Sequence, residues 1–189
     1  MKKTLITLAV AGGLGLAAPA VAGAADTTPT TPSAQQQCRT ERDQMGVEVF
    51  RATYGTNHNK RNAFGKCVSE RKHATKQARK AARSSAAQSC TAEQAADPAA
   101  FALKYGKSGK HGNKDKQAHR RCISQQAGAK TAATVDQQVT ADVNAAQSCK
   151  TERDADPAAF EAKYGTNHSK RNAFGKCVSA QAKQPATQS

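Results

Sequence analysis

The sequence predicts an all-α protein made of three small disulfide-stapled helical units joined by helical connectors. Three observations carry that expectation. One stretch is written twice: residues 50–69 read FRATYGTNHNKRNAFGKCVS and residues 160–179 read FEAKYGTNHSKRNAFGKCVS, differing only at Arg51/Glu161, Thr53/Lys163 and Asn59/Ser169. Six cysteines fall into three pairs, the middle one within a looser third copy that runs from Phe101 to Ser124 beyond its first cysteine. Between Cys67 and Cys90 the chain is rich in Ala, Lys, Arg and Gln, which are good helix formers. Self-similarity of this kind marks a repeat architecture.

The chain opens with Lys2 and Lys3, then a short apolar run from Leu5 to Ala18. Small residues follow, and both Ala20-Val21-Ala22 and Ala22-Gly23-Ala24 fit an A-x-A cleavage site. Residues 1–24 are expected to be a secretory signal peptide, leaving no integral membrane span after cleavage. Residues 25–35, rich in Thr and Pro, are expected to be a disordered lead-in. The order then expected is repeat one (36–69), a basic helical connector (70–89), repeat two (90–124), a second helical connector (125–147), repeat three (148–180) and a disordered tail (181–189). There is no Trp, with five Phe and three Tyr. That is too little for one large core, so small stapled units are favoured.

Each unit is expected to contain three helical pieces. The first carries the leading cysteine. In the second, Phe50/Tyr54, Phe101/Tyr105 and Phe160/Tyr164 are four apart, which places both rings on one helical face. Asp97-Pro98 and Asp156-Pro157 supply a cap and a first-turn proline, where repeat one has Gly46. Gly55, Gly106 and Gly165 follow each Tyr and are read as stops in the left-handed conformation. After a polar loop, Asn62 and Asn172 are placed to cap the third piece, which holds Phe64 and Cys67 or Phe174 and Cys177. Repeat two has a loop four residues longer and His119 in place of the phenylalanine, so its core is expected to be weaker.

The connectors decide the cysteine pairing. Cys67 to Cys90 contains no Gly or Pro, and Cys122 to Cys149 carries Val135, Val139 and Val143 at four-residue spacing. If the first connector is one helix, Cys67 and Cys90 lie ~34 Å apart. A disulfide needs Cα atoms within about 7 Å. The same reasoning rejects Cys122 with Cys149. Repeat symmetry then favours Cys38–Cys67, Cys90–Cys122 and Cys149–Cys177. Each closes a loop worth roughly 3–4 kcal/mol in the chain-entropy model.

No serine elbow, HExxH, phosphate loop or EF-hand loop occurs, and acidic residues number 14 against 29 basic. Two Cys and one His per repeat is one ligand short of a structural zinc site. The expectation is a non-enzyme without metal or cofactor. Glu41-Arg42 and Glu152-Arg153 recur after the first cysteine and read as a solvated face or an intra-repeat salt bridge.

The charge is the feature that points to a partner. The formal charge is +15, or +13 without Lys2 and Lys3, and nearly all of it precedes residue 125. In the first connector Lys72, Lys76, Arg79, Lys80 and Arg83 recur on one side of a helix, with Arg71 beside them. Lys60, Arg61 and Lys66, and their twins Lys170, Arg171 and Lys176, sit at expected helix N-termini, which attract anions. Such surfaces bind polyanions without reading sequence. The candidates are an anionic cell-envelope polymer, polysaccharide or extracellular DNA; scarce aromatics argue against a dedicated single-strand binder.

The string YGTNxxKRNAFGKCVS, with an upstream CxxER, resembles a repeat of exported proteins of high-GC bacteria. The resemblance implies export, a small helical unit and repetition, and it supplies no activity. A secreted or envelope-associated binding or structural protein that uses basic surface is therefore expected. A protein–protein module is the alternative, with a small secreted enzyme behind it.

Overall fold

The computed structural model describes residues 30–106 and 114–183. The expected signal peptide, residues 25–29 of the lead-in, residues 107–113 of the longer loop and residues 184–189 of the tail lie outside them. The described residues form seven helices and no strand: α1 (Ala34–Met45), α2 (Val47–Tyr54), α3 (Ala63–Ala96), α4 (Pro98–Tyr105), α5 (Lys114–Ala155), α6 (Pro157–Tyr164) and α7 (Ala173–Gln181).

Local chemistry explains most boundaries. Ser33 starts α1 in a reciprocal capping box with Gln36, so helix replaces the lead-in expected at residues 34 and 35. Gly46, at φ 81°, separates α1 from α2 in a conformation that favours glycine. Asp97 and Asp156 accept from the Ala100 and Ala159 amides at 2.9 Å, with proline in the first turn. Both connectors are continuous helix. α3 carries the third piece of repeat one through to the first piece of repeat two, and α5 does the same for repeats two and three.

The pairing is Cys38–Cys67, Cys90–Cys122 and Cys149–Cys177, each with Cα atoms 6.0 Å apart. Every cysteine sulfur is committed, and all six residues are fully buried.

α3 and α5 form a long antiparallel hairpin. Ala78, Ala82 and Ala86 make the buried ridge of α3. Thr131, Val135, Val139 and Val143 make a buried ridge on α5. Lys130 reaches Ser85 at 2.7 Å and Arg71 meets Asp142, which fixes the antiparallel register. Repeat two closes one end with a small core of Cys90, Phe101, Tyr105, Ala118 and Cys122. At the other end repeats one and three, far apart in sequence, share a single core that includes Phe50, Tyr54, Phe160 and Phe174. His119 takes the phenylalanine's place against Phe101, with ring centroids 6.4 Å apart, compared with 6.5 Å for Phe50–Phe64 and 6.2 Å for Phe160–Phe174.

Candidate functional site

Two basic surfaces and one buried polar cluster come out of this fold. The first surface is the outer side of α3. Lys72, Lys76, Arg79, Lys80 and Arg83 are all exposed on one flank of the helix, beside the alanine ridge. Lys72, Lys76 and Arg79 line a groove of about 280 Å³ with Thr31 and Ser33. Arg79 and Arg83 line an adjoining groove of about 390 Å³, and Arg120 of α5 joins them there. Sequence reasoning missed Arg120. Its signal is the alignment of Ala118-His119-Arg120 with Ala63-Phe64-Gly65, where an arginine replaces glycine.

Arg71 is a correction to the expected stripe. It is 5 % exposed and points into the core, where it forms ion pairs with Glu41 and Asp142. Its Nε lies 2.5 Å from Glu41 Oε1, but the N–H is not aligned on that oxygen, so this is charge contact rather than a directed hydrogen bond. Tyr54 donates to the other carboxylate oxygen of Glu41, and Arg71 Nη2 donates to the Tyr54 hydroxyl at 3.1 Å. Desolvation pushes the Glu41 carboxyl above its ordinary 4.5, against the lowering effect of Arg71.

The Glu41-Arg42 and Glu152-Arg153 pairs are not bonded to each other. Arg42 and Arg153 pair with the next residue, Asp43 and Asp154, and Arg153 also lies over the Phe174 ring at 5.1 Å. What recurs is a bond from the tyrosine to the glutamate three residues after the first cysteine. Tyr105 donates to Glu93 at 3.2 Å and Tyr164 to Glu152 at 3.0 Å. There the cation is the lysine before the tyrosine, Lys104 or Lys163. Repeat one has Thr53 at that position and obtains its cation from Arg71, four residues after Cys67, where repeats two and three have Gln126 and Gln181.

The second basic surface lies between the twin loops. Asn62 and Asn172 stand at the N-cap positions of α3 and α7 but make no side-chain cap bond. Instead, their side-chain oxygens accept from the amides of Thr56 and Asn57, and of Thr166 and Asn167. Lys60 and Lys170 are the left-handed residues of these loops, at φ 56° and 54°. Their ammoniums turn back to the carbonyls of Gly55 and Gly165 at 2.8 and 3.0 Å, away from the helix N-termini they were expected to serve. Gly55, Gly106 and Gly165 have φ −73°, −74° and −74°, so the left-handed reading of these stops is corrected too. At Gly55 the hydrogen serves close packing, because a Cβ there would lie 2.7 Å from Lys60 Cβ.

Arg61, Lys66 and Arg171 are exposed and Lys176 is at the surface of α7. Only the repeat-three members of that set, Arg171 and Lys176, line the cleft of about 720 Å³ between the loops, together with Lys60 and Lys183. Lys60 Nζ also reaches the Arg171 carbonyl at 3.2 Å, tying loop to loop. Burial, and then the Arg171 charge, hold the Lys60 ammonium below its ordinary pKa.

Among the described residues no cluster of three His, Cys, Asp or Glu side chains could hold a metal, and no helix is long and apolar enough to cross a membrane. No protein-family model, curated protein or solved structure matches the chain.

Proposed function

We propose that this is an exported, envelope-associated, non-enzymatic protein that holds anionic polymers against the basic side of α3. The observation that carries the reading is the convergence of Arg79 and Arg83 with Arg120 of α5 in one groove, continuous with Lys72 and Lys76. The five cations on one helix side, from Lys72 to Arg83, extend over ~17 Å at about 1.5 Å per residue. One continuous helix carries that row, so a polymer meets cations that already have their spacing. Three disulfides fit an oxidising compartment, and the Lys2-Lys3 start with its apolar run supports export. Wall polymers, acidic polysaccharide and extracellular DNA share the chemistry the row requires.

The test replaces Lys72, Lys76, Arg79, Lys80 and Arg83 with Gln and leaves Arg71 in place. Helix propensity is nearly unchanged, and exposed charges contribute little to stability. The variant is expected to leave a heparin or teichoic acid column at clearly lower salt than the parent. Its dependence of affinity on salt should flatten, because fewer counterions are released. Elution at the parent's position would remove the reading. Salt-insensitive capture of an envelope protein would replace it with a protein–protein module.

A further inference from the structure

We propose that the cleft between the twin loops is a second, discrete binding site, for a phosphorylated polyol or sugar. It lies away from the outer side of α3, and neither proposal depends on the other. Four basic residues line the cleft, Lys60, Arg171, Lys176 and Lys183, against one acidic residue, Glu70. Among the described residues none of the four forms a salt bridge. Four like charges against a single carboxylate repel on balance, and an anion relieves that repulsion. Lys60 has given two of its three N–H donors to the carbonyls of Gly55 and Arg171, which leaves the third for a ligand. The Arg171 fork suits two oxygens of one phosphate.

The rest of the lining defines what carries the phosphate. Asn57 and Asn167, at equivalent places in the two loops, offer amides, and Ser169 and Ser179 offer hydroxyls. These groups complement hydroxyls. Apart from the His58 imidazole no aromatic ring lines the cleft, so a nucleobase has no Phe or Tyr to stack on. The volume of about 720 Å³ falls in the range of small-molecule sites.

The cleft is specified by the fold and not by either repeat alone. The two loops have nearly the same sequence, yet the site takes Lys60 from the first and Arg171 from the second, with no part for their twins Lys170 and Arg61. The surroundings of the twin glycines show the asymmetry. A Cβ on Gly175 would lie 2.8 Å from the carbonyl oxygen of Thr53, so α7 packs against α2 only because it has none. Gly65, its twin, has nothing within 4 Å of the same position.

The test is titration of the isotope-labelled full mature chain, reading amide shifts at Asn167 and Gly175, with calorimetry for affinity. The probes are a glycerol-phosphate tetramer, glucose 6-phosphate, inorganic phosphate and glycerol. Either phosphorylated probe should bind one to one and move the cleft amides, the tetramer pointing to a polymer source and glucose 6-phosphate to a free sugar phosphate. Arg171→Gln should weaken binding roughly tenfold or more, and Gly175→Ala should weaken it by displacing α7. Gly65→Ala and the five-site Gln variant of α3 should bind as the parent does. Inorganic phosphate binding as tightly as both organic probes would overturn the polyol assignment. Unmoved cleft amides with every probe, or full affinity in Arg171→Gln, would overturn the site.

Discussion

Arg71 and Thr53 explain each other. In repeats two and three a lysine directly before the tyrosine neutralises the recurring glutamate at the surface, as Lys104 does for Glu93 and Lys163 for Glu152. In repeat one the glutamate is fully buried, and the cation comes instead from Arg71 on α3. Removing one partner of a buried ion pair leaves the other uncompensated, at a cost of about 3–5 kcal/mol. Arg71→Gln should therefore lower the urea midpoint strongly, although glutamine is what the other repeats carry at this place. Adding Thr53→Lys should recover part of the loss, because it restores the surface arrangement of repeats two and three; no recovery would show that the two arrangements are not interchangeable.

The same three glutamates should titrate in opposite directions. Burial raises the Glu41 pKa above 4.5, whereas hydrogen bonds from Lys104 and Lys163 lower those of Glu93 and Glu152. The folded state thus holds the Glu41 proton more tightly than the unfolded chain does. Its contribution favours the fold below pH 4.5 and fades as pH rises through the folded pKa. Glu93 and Glu152 contribute above 4.5, and that contribution is lost as pH falls through their folded values. Carboxyl carbon NMR across the acid range should place Glu41 above 4.5 and the other two below; a common midpoint for all three would contradict the burial assigned to Glu41.

At the scale of elements, the short helices and their stops follow from local rules, but their support differs. α2 and α6 pack into one shared core, while α4 packs on a small separate one. There His119 stands where Phe64 and Phe174 stand, and its ring nitrogen lies 3.2 Å from the Thr91 hydroxyl. Burying a phenylalanine is worth roughly 1.5–3 kcal/mol, which the middle unit forgoes. Under mild denaturant the amides of α4 and of the first turns of α5 should exchange fastest, with α2 and α6 protected together. Equal protection across the three units would mean that the hairpin, and not each local core, sets their stability.

At the scale of the whole molecule, the chain by itself determined its helices, its repeat and its disulfides. Helix composition without Gly or Pro keeps Cys67 and Cys90 far apart, and repetition does the rest, so the pairing was legible from spacing. The periodicity of Lys72, Lys76, Arg79, Lys80 and Arg83 likewise placed them on one outer side. Arg71 sits beside them in sequence, but it falls on the buried ridge with Cys67, Ala78 and Ala82 at same-face helical spacing. The period alone sets it apart from the row, and packing decided only which carboxylates it meets. Asp142, one of its partners, is 71 residues away, and no local pattern announces a contact that distant. The cleft is a tertiary product for the same reason. Lys60 and Arg171 are 111 residues apart, and they meet because the α3–α5 hairpin folds repeat three back onto repeat one. Nearly identical sequences thus ended in different surroundings, Gly65 with open space and Gly175 against a backbone carbonyl. Sequence periodicity encodes which side of a helix is apolar; which neighbour covers that side is decided by the turn of the hairpin, and with it which charges are buried and which are left to face a ligand.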